Sequence, residues 1–98
     1  EPRHERLALR DAVEVALQVV WGDVAARGVV VERRHEDGLP EVHGDAIALQ
    51  QVFVNLVLNA CEAMGERPPG ERRVVVGTRR DADGSVVAYV ADRGPGIP

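Results

Sequence analysis

The sequence predicts an α+β fold, a two-layer α/β sandwich in which helices cover one face of a single β-sheet. Three observations support this prediction: two amphipathic helical segments, a β-branched run between them, and two further β-branched runs around an Asp/Gly turn. A sheet must bury one of its faces, and amphipathic helices are a usual cover in mixed domains. The predicted order along the chain is a weak strand, helix, strand, helix, strand and strand.

The first half of the chain accounts for the first three of these elements. Leu7 and Leu9 stand where a short, weak strand would begin. Apolar residues then recur at spacings of three and four, which is typical of an amphipathic helix, and Gly28 supplies the glycine that commonly follows a helix end. The β-branched run over residues 29–35 predicts a strand. The helix is predicted to bury Ala12, Val13, Ala16, Leu17, Val20 and Val24.

A second helix carries the most informative pattern of the chain. Asp45 stands at its N-cap position, and Gly65 with residues 68–70 ends it. Its predicted core face is a broad apolar arc of Leu49, Val52, Phe53, Leu56, Ala60, Ala63 and Met64. Spacings of four, four and three residues keep a polar stripe within roughly 80°, formed by Gln51, Asn55, Asn59 and Glu62. A buried, unpaired amide costs roughly 1–3 kcal/mol, so this stripe requires a polar partner.

The end of the chain predicts a hairpin followed by a glycine-rich segment. The β-branched runs 73–80 and 85–91 flank an Asp/Gly turn, and Asp92-Arg-Gly94-Pro-Gly96-Ile97 follows directly. Gly94 and Gly96 permit positive φ and a close approach of the backbone to a ligand, whereas the proline between them stiffens the turn. Taken alone, this segment is also compatible with an ordinary surface turn.

Length and composition fit one globular domain over residues 1–98. The chain is 45% hydrophobic, which is enough for a single core. A net charge of -4, with only three aromatic residues, argues against a nucleic-acid surface, which needs a clustered basic face and stacking rings. The arginine pairs at 33–34, 72–73 and 79–80 are interpreted as solvated strand ends, and His35 and His43 as surface residues.

The remaining compositional features indicate a cytoplasmic protein. Cys61 is the single cysteine, which excludes an internal disulfide and is typical of a small buried residue in a reducing compartment. No apolar run approaches the roughly 20 residues that span a bilayer, and the amino terminus is charged rather than signal-like. Membrane attachment of a longer parent chain stays open.

Two motifs together resemble a known family. Asn55-Leu-Val-Leu-Asn59-Ala resembles the N box, and the segment from Asp92 to Ile97 resembles the first glycine box, of the ATP-binding catalytic domain of sensor histidine kinases. That domain belongs to the superfamily shared with DNA gyrase, the MutL repair proteins and one heat-shock chaperone. The approach Val42-His-Gly44-Asp45 and the Glu62-Ala-Met segment are similar to the nitrogen-regulation type of kinase. The resemblance implies a Bergerat-type ATP-binding fold.

The resemblance also implies ATP and Mg²⁺ as ligands and assigns roles to individual residues. It makes Asn59 the Mg²⁺ ligand, with Asn55 one turn earlier contributing to the phosphate and metal network. Mg²⁺ prefers oxygen ligands, and an amide oxygen is one. Asp92 would bind the adenine N6 amino group, and Gly94 and Gly96 would bring the backbone close to the nucleotide.

Two positions depart from the family pattern. Glu62 stands where many histidine kinases carry a lysine that reaches phosphate, so electrostatic help must come from elsewhere or from the bound metal. Asn55 stands where the hydrolysing members carry a glutamate that acts as general base. Because an amide cannot take a proton from water, Asn55 favours a phosphotransferase over an ATPase.

We therefore interpret the chain as the ATP-binding part of a sensor histidine kinase that transfers the γ-phosphoryl of ATP to a His in a separate upstream dimerisation domain. A response regulator would receive the signal, and the parent would be a homodimer. No catalytic residue is expected within the chain. The predicted catalytic domain begins at Leu9, shortly after His4, which leaves no room for a helical hairpin in which His4 could accept the phosphoryl group. The second glycine box, the lid and the last strands are expected beyond Pro98, and we expect the 98 residues alone to be inactive.

Two alternatives stay open. One is an anti-sigma-factor-type Ser kinase of the same fold, which the absence of an upstream helical His domain would favour. The other is a degenerate binding or dimerisation module that has lost its nucleotide. An absence of any Mg-ATP effect on melting would favour this second alternative.

Overall fold

The computed structural model of the protein describes residues 4–93, and the predicted order of elements is confirmed with one strand added. Two short 3-10 helices, Met64–Glu66 and Pro69–Glu71, fill most of the connection between the second helix and the hairpin. The helices and strands are β1 (Glu5–Leu7), α1 (Leu9–Ala26), β2 (Val30–His35), β3 (Val42–Gly44), α2 (Ala46–Ala63), β4 (Arg73–Arg80) and β5 (Val86–Arg93).

The strands form two sheets, so the prediction of a single sheet was wrong. In the three-stranded sheet the order is β2-β4-β5, with β4 parallel to β2 and antiparallel to β5. The unpredicted β3 pairs with β1 in a separate antiparallel ladder, in which Leu7 lies opposite Val42. Three residues are too short to show an alternating pattern, so β3 depends on its partner rather than on local sequence. The first strand ends at Leu7, and Leu9 already begins α1.

Helix α1 packs as the sequence predicts. All six residues of its predicted stripe are buried. Gly28, with φ of 66°, follows its C-cap, where the amides of Gly28 and Val29 donate to the carbonyls of Ala25 and Val24. This pair of bonds is a Schellman motif, which satisfies carbonyls that the helix end would leave unpaired. A glycine there avoids the strain that a Cβ would suffer at positive φ.

The face of α2 that enters the core differs from the predicted arc. Val52 is 56% exposed and Leu56 is 44% exposed, although both were assigned to the core. Ala63 is also exposed, and Leu49 and Ala60 are only partly buried. Apolar residues occupy nearly every position from 52 to 58, so the sequence leaves the rotation of the helix ambiguous, and packing against both α1 and the sheet decides it. The residues that α2 and its C-cap bury are Phe53, Val54, Val57, Cys61 and Met64.

Helix α2 begins and packs as a core helix. The Asp45 carboxylate accepts a hydrogen bond of 3.1 Å from the Ala48 amide, which confirms the predicted N-cap. Cys61 is buried and free, as predicted, and burial raises the pKa of its thiol. Within residues 4–93, α2 is also the one helix that is long and apolar enough to cross a membrane by length and composition. The core helix of a globular domain meets the same test.

Candidate functional site

The polar stripe of α2 faces outward. Gln51, Asn55, Asn59 and Glu62 are all exposed, and they lie opposite the buried side of the helix. The stripe is confirmed as a shared face, but the expectation that its amides are buried was wrong. Exposed amides need no protein partner, because water satisfies them. Their oxygen and nitrogen atoms are therefore accessible to a ligand.

The carboxylate predicted to contact the ligand lies on β5. Asp92 is exposed and stands opposite Val74 of β4. The strand continues to Arg93, so Asp92 is the second-last residue of β5 rather than the first residue after it. Gly94 and Gly96, the other predicted residues of this segment, lie outside the described residues.

The topology brings the end of α2 and the end of β5 to the same edge of the molecule. Helix α2 ends at Ala63, and the chain returns through nine residues to the start of β4. Strand β4 begins beside the end of β5, with Arg73 opposite Arg93. Asn59 and Glu62, in the last two turns of α2, thus lie at the sheet end that carries Asp92. Asn55 lies one turn further back.

Arg72 joins the end of α1 to the turn after α2, which its predicted role did not include. The Arg72 guanidinium donates three hydrogen bonds to carbonyls: Nε to Arg67 at 2.8 Å, Nη1 to Arg27 at 2.7 Å and Nη2 to Gly65 at 3.3 Å. Its interpretation as a solvated strand end was therefore wrong. The available signal was an arginine placed after a Gly/Pro-rich loop, while neither helix carries a basic residue in its own last turn.

A second polar cluster lies at the opposite end of the sheet. The His35 side chain is only 4% exposed, and its Nδ1 and Nε2 lie 2.9 Å from Thr78 Oγ1 and Glu14 Oε2. Arg33 donates from Nε to both Glu14 oxygens, at 2.9 and 3.1 Å, and its guanidinium lies 5.5 Å from the Trp21 ring centroid. His35 is thus not the predicted surface residue, because it links α1 to β2 and β4.

This cluster shifts the titration of its carboxylate. Partial burial raises the pKa of Glu14, but hydrogen bonds from His35 and Arg33, together with their charges, outweigh burial and leave the pKa below its ordinary value. His43, in contrast, is exposed as predicted. The cluster is internally satisfied and lies away from the α2 stripe, so we do not assign it to the candidate site.

The residues of the stripe suit a hard cation that takes most of its ligands from elsewhere. Within the part of the chain that the structure describes, no group of three or more His, Cys, Asp and Glu side chains could hold a metal ion. Mg²⁺ commonly uses one or two protein oxygens and completes its octahedron with phosphate oxygens and water. The exposed amide oxygen of Asn59 fits that role, and a preformed protein cage does not exist among residues 4–93.

Comparisons with known proteins find similar chains among sensor histidine kinases. Sensory histidine kinase/phosphatase NtrB of Rhizobium leguminosarum bv. phaseoli is 38% identical over 84 residues, which cover 74% of this chain and 22% of that protein. The mycobacterial sensor histidine kinase MprB superposes with a TM-score of 0.72 at 27% identity, over 98% of this chain and 59% of the solved one. A solved complex of histidine kinase ThkA with the response regulator protein TrrA gives a TM-score of 0.77 at 22% identity, over 99% of this chain and 28% of the other.

A family model shows which family the chain belongs to. The chain spans about a fifth of the length of the curated relatives it matches. Residues 44–98, which contain the α2 stripe and the segment after β5, match the family model described as histidine kinase-, DNA gyrase B-, and HSP90-like ATPase. The match covers more than half of the sequence, and the chain belongs to this ATPase family.

Proposed function

We propose that the chain is the Mg-ATP-binding part of a sensor histidine kinase. The observation that carries the proposal is the exposed pair of Asn59 on α2 and Asp92 on β5 at one end of the fold, within the segment that matches the family. Asn59 offers an amide oxygen to a cation, and Asp92 offers a carboxylate to the nucleobase. A nucleotide triphosphate with its metal presents both kinds of group.

The proposed roles follow from the chemistry of each side chain. The Asp92 carboxylate accepts a hydrogen bond from the exocyclic amine of adenine, and guanine, which carries a carbonyl at that position, offers it no donor. The Asn59 oxygen holds Mg²⁺, and Asn55, one turn earlier, orients the phosphate and metal network. Bound Mg²⁺ neutralises charge on the triphosphate. Gly94 and Gly96 let the backbone approach the nucleotide.

Two residues of the stripe restrict the reaction. Asn55 cannot act as a general base on water, so the site favours transfer of the phosphoryl group over hydrolysis. Glu62 lies one turn after Asn59 and is exposed, so a negative charge faces the region proposed for the triphosphate. Like charges repel, and nucleotide binding should therefore depend strongly on the metal. In this scheme Glu62 is part of the ATP site because its charge makes binding depend on the metal, and it does not contact the phosphates directly.

The proposed reaction needs a second domain and a downstream partner. The bond between the γ-phosphorus and the bridging oxygen of ATP breaks, ADP leaves, and a phosphorus–nitrogen bond forms to a His that loses its proton. As in other phosphoryl transfers, the protein contributes positioning and charge stabilisation. The His would belong to an upstream dimerisation domain of a cytoplasmic homodimeric catalytic region. The ThkA complex supports a response regulator as the partner.

The experiment that tests the proposal uses the full-length protein that contains this chain. Incubation with γ-labelled ATP and Mg²⁺ should label a His outside residues 1–98, and the label should be lost in acid and kept in alkali. An acid-stable label would contradict a histidine kinase and favour the Ser kinase alternative. No label, together with no effect of Mg-ATP on the unfolding temperature, would favour a degenerate module.

A further inference from the structure

The Arg72 side chain connects the end of α1 to the turn that follows α2. Its Nη1 donates to the carbonyl of Arg27, the C-cap of α1, at 2.7 Å. Its Nε and Nη2 donate to Arg67 and Gly65, in the turn that follows α2, at 2.8 and 3.3 Å. All three acceptors are main-chain oxygens at or just beyond helix ends, where carbonyls lack partners within the helix.

The arrangement suits a guanidinium, because three of its N–H groups reach three separate carbonyls. The carboxyl end of a helix carries partial negative charge, which a cation stabilises. Neither α1 nor α2 has a basic residue in its last turn, and Arg72 places one guanidinium against both the α1 C-cap and the turn after α2. A lysine carries the same charge but is a compact ammonium without the planar fork that reaches separated acceptors.

The backbone of Arg72 is bonded to the sheet. Its carbonyl accepts a 2.9 Å hydrogen bond from Val30, the first residue of β2. Two residues later along β4, Val74 lies opposite Asp92 of β5. Arg72 therefore ties the end of α2, a short distance after Asn59, to the sheet end that carries Asp92.

We infer that Arg72 is a positioning residue for the nucleotide, which sets the separation between the metal-binding amide of Asn59 and the adenine-binding carboxylate of Asp92. The inference rests on the proposed function, because it concerns one ligand held at two points. Two anchors reinforce each other only when their spacing matches the ligand, since the second contact is then made at high effective concentration. A mobile end of α2 would leave each anchor intact and lose that reinforcement.

The test compares Arg72→Gln with Arg73→Gln in the full-length protein. The control removes the same charge from the neighbouring residue, whose side chain is 56% exposed and lies 3.7 Å from Glu32. Mg-ATP is titrated by calorimetry and metal-free adenosine by NMR, at a temperature where circular dichroism shows each variant to be folded. Adenosine reports the base contact alone, whereas Mg-ATP needs both anchors.

Arg72→Gln should weaken Mg-ATP binding about tenfold, equivalent to about 1.4 kcal/mol, and leave adenosine binding unchanged. Arg73→Gln should bind both ligands like the parent protein, and Arg72→Lys should be as weak as Arg72→Gln. Unchanged Mg-ATP binding in Arg72→Gln, equal losses for both ligands, or full recovery by Lys would each overturn the positioning role. Failure of the unsubstituted protein to bind Mg-ATP would instead refute the proposed function and this inference with it.

Discussion

The two ends of the three-stranded sheet use polar side chains in opposite ways. At one end His35 is almost fully buried, and both of its ring nitrogens have partners on other elements. At the other end Asn59 and Asp92 are exposed on the surfaces of α2 and β5. A buried polar group whose partners lie within the chain contributes to stability, and losing a partner is costly. An exposed polar group can exchange water for a ligand at little cost to the fold.

The comparison separates two kinds of substitution. Changes at the His35 end should lower the free energy of unfolding and leave nucleotide affinity alone. Changes at the Asp92 end should lower nucleotide affinity and leave the free energy of unfolding alone. Arg72 lies at the second end, but its side chain bonds to main-chain carbonyls of the fold. Its substitution should therefore lower both the free energy of unfolding and the nucleotide affinity.

The largest effect is expected for Asp92→Asn. The replacement places an amide donor beside the N6 donor of adenine, and a mispaired polar contact costs roughly 1–3 kcal/mol, or about five- to 150-fold in affinity for ATP. Calorimetric titration of the full-length protein measures the loss. Asp23→Asn, an exposed change on α1 that removes the same charge, is the matched control and should bind ATP normally. If Asp92→Asn binds ATP as tightly as the parent, the adenine contact is wrongly assigned.

Thr78→Val should have an effect of similar size, but on the free energy of unfolding rather than on nucleotide affinity. The change keeps the shape of the side chain and removes the hydroxyl that pairs with His35 Nδ1 at 2.9 Å. Because Thr78 is 1% exposed, water cannot replace the hydroxyl, and urea unfolding should show a loss of roughly 1–3 kcal/mol. Thr78→Ser retains the hydroxyl and should lose less. A Thr78→Val protein as stable as the parent would mean that the cluster contributes little to the fold.

The smallest effect is expected from the charge of Glu14. Its pKa is lower in the folded protein than its ordinary value of 4.5, so its ionised form stabilises the fold above that pH, and the contribution is lost as the pH falls through the folded pKa. Glu14→Gln should therefore be less stable than the parent at pH 7, and the difference should shrink below about pH 4.5. Urea unfolding across this range measures it. A difference that stays constant with pH would assign the effect to packing rather than to charge.

The sequence predicts local features well and long-range partners poorly. The α1 stripe, the Asp45 cap and the hairpin follow from periodicity and turn chemistry within a few residues, and all are confirmed. His35 and Arg72 were misjudged because their partners are distant in sequence. Thr78 lies 43 residues from His35, and Arg27 lies 45 residues from Arg72. No local pattern contains that information.

The same distinction applies to the candidate site. The spacing of Asn55, Asn59 and Glu62 places them on one face of a helix, and the structure has them on one exposed face. Which way that face points could not be derived, because apolar residues occupy nearly every position from 52 to 58 and leave the rotation of α2 ambiguous. That the end of α2 and Asp92 lie at the same end of the sheet depends on β4 starting there, opposite the end of β5, which is a property of the whole topology.

The measurement that tests the account most directly is the metal dependence of ATP binding in Asn59→Ala. The central claim is that the exposed amide of Asn59 serves Mg²⁺, so the substitution should remove affinity only where the metal contributes. ATP is titrated into the full-length protein by calorimetry, with and without Mg²⁺, and Gln51→Ala, on the same exposed face, is the control. The account predicts a large loss for Asn59→Ala with Mg²⁺, a small one without it, and none for Gln51→Ala. Equal losses for Asn59→Ala under both conditions would contradict it and assign Asn59 a structural role.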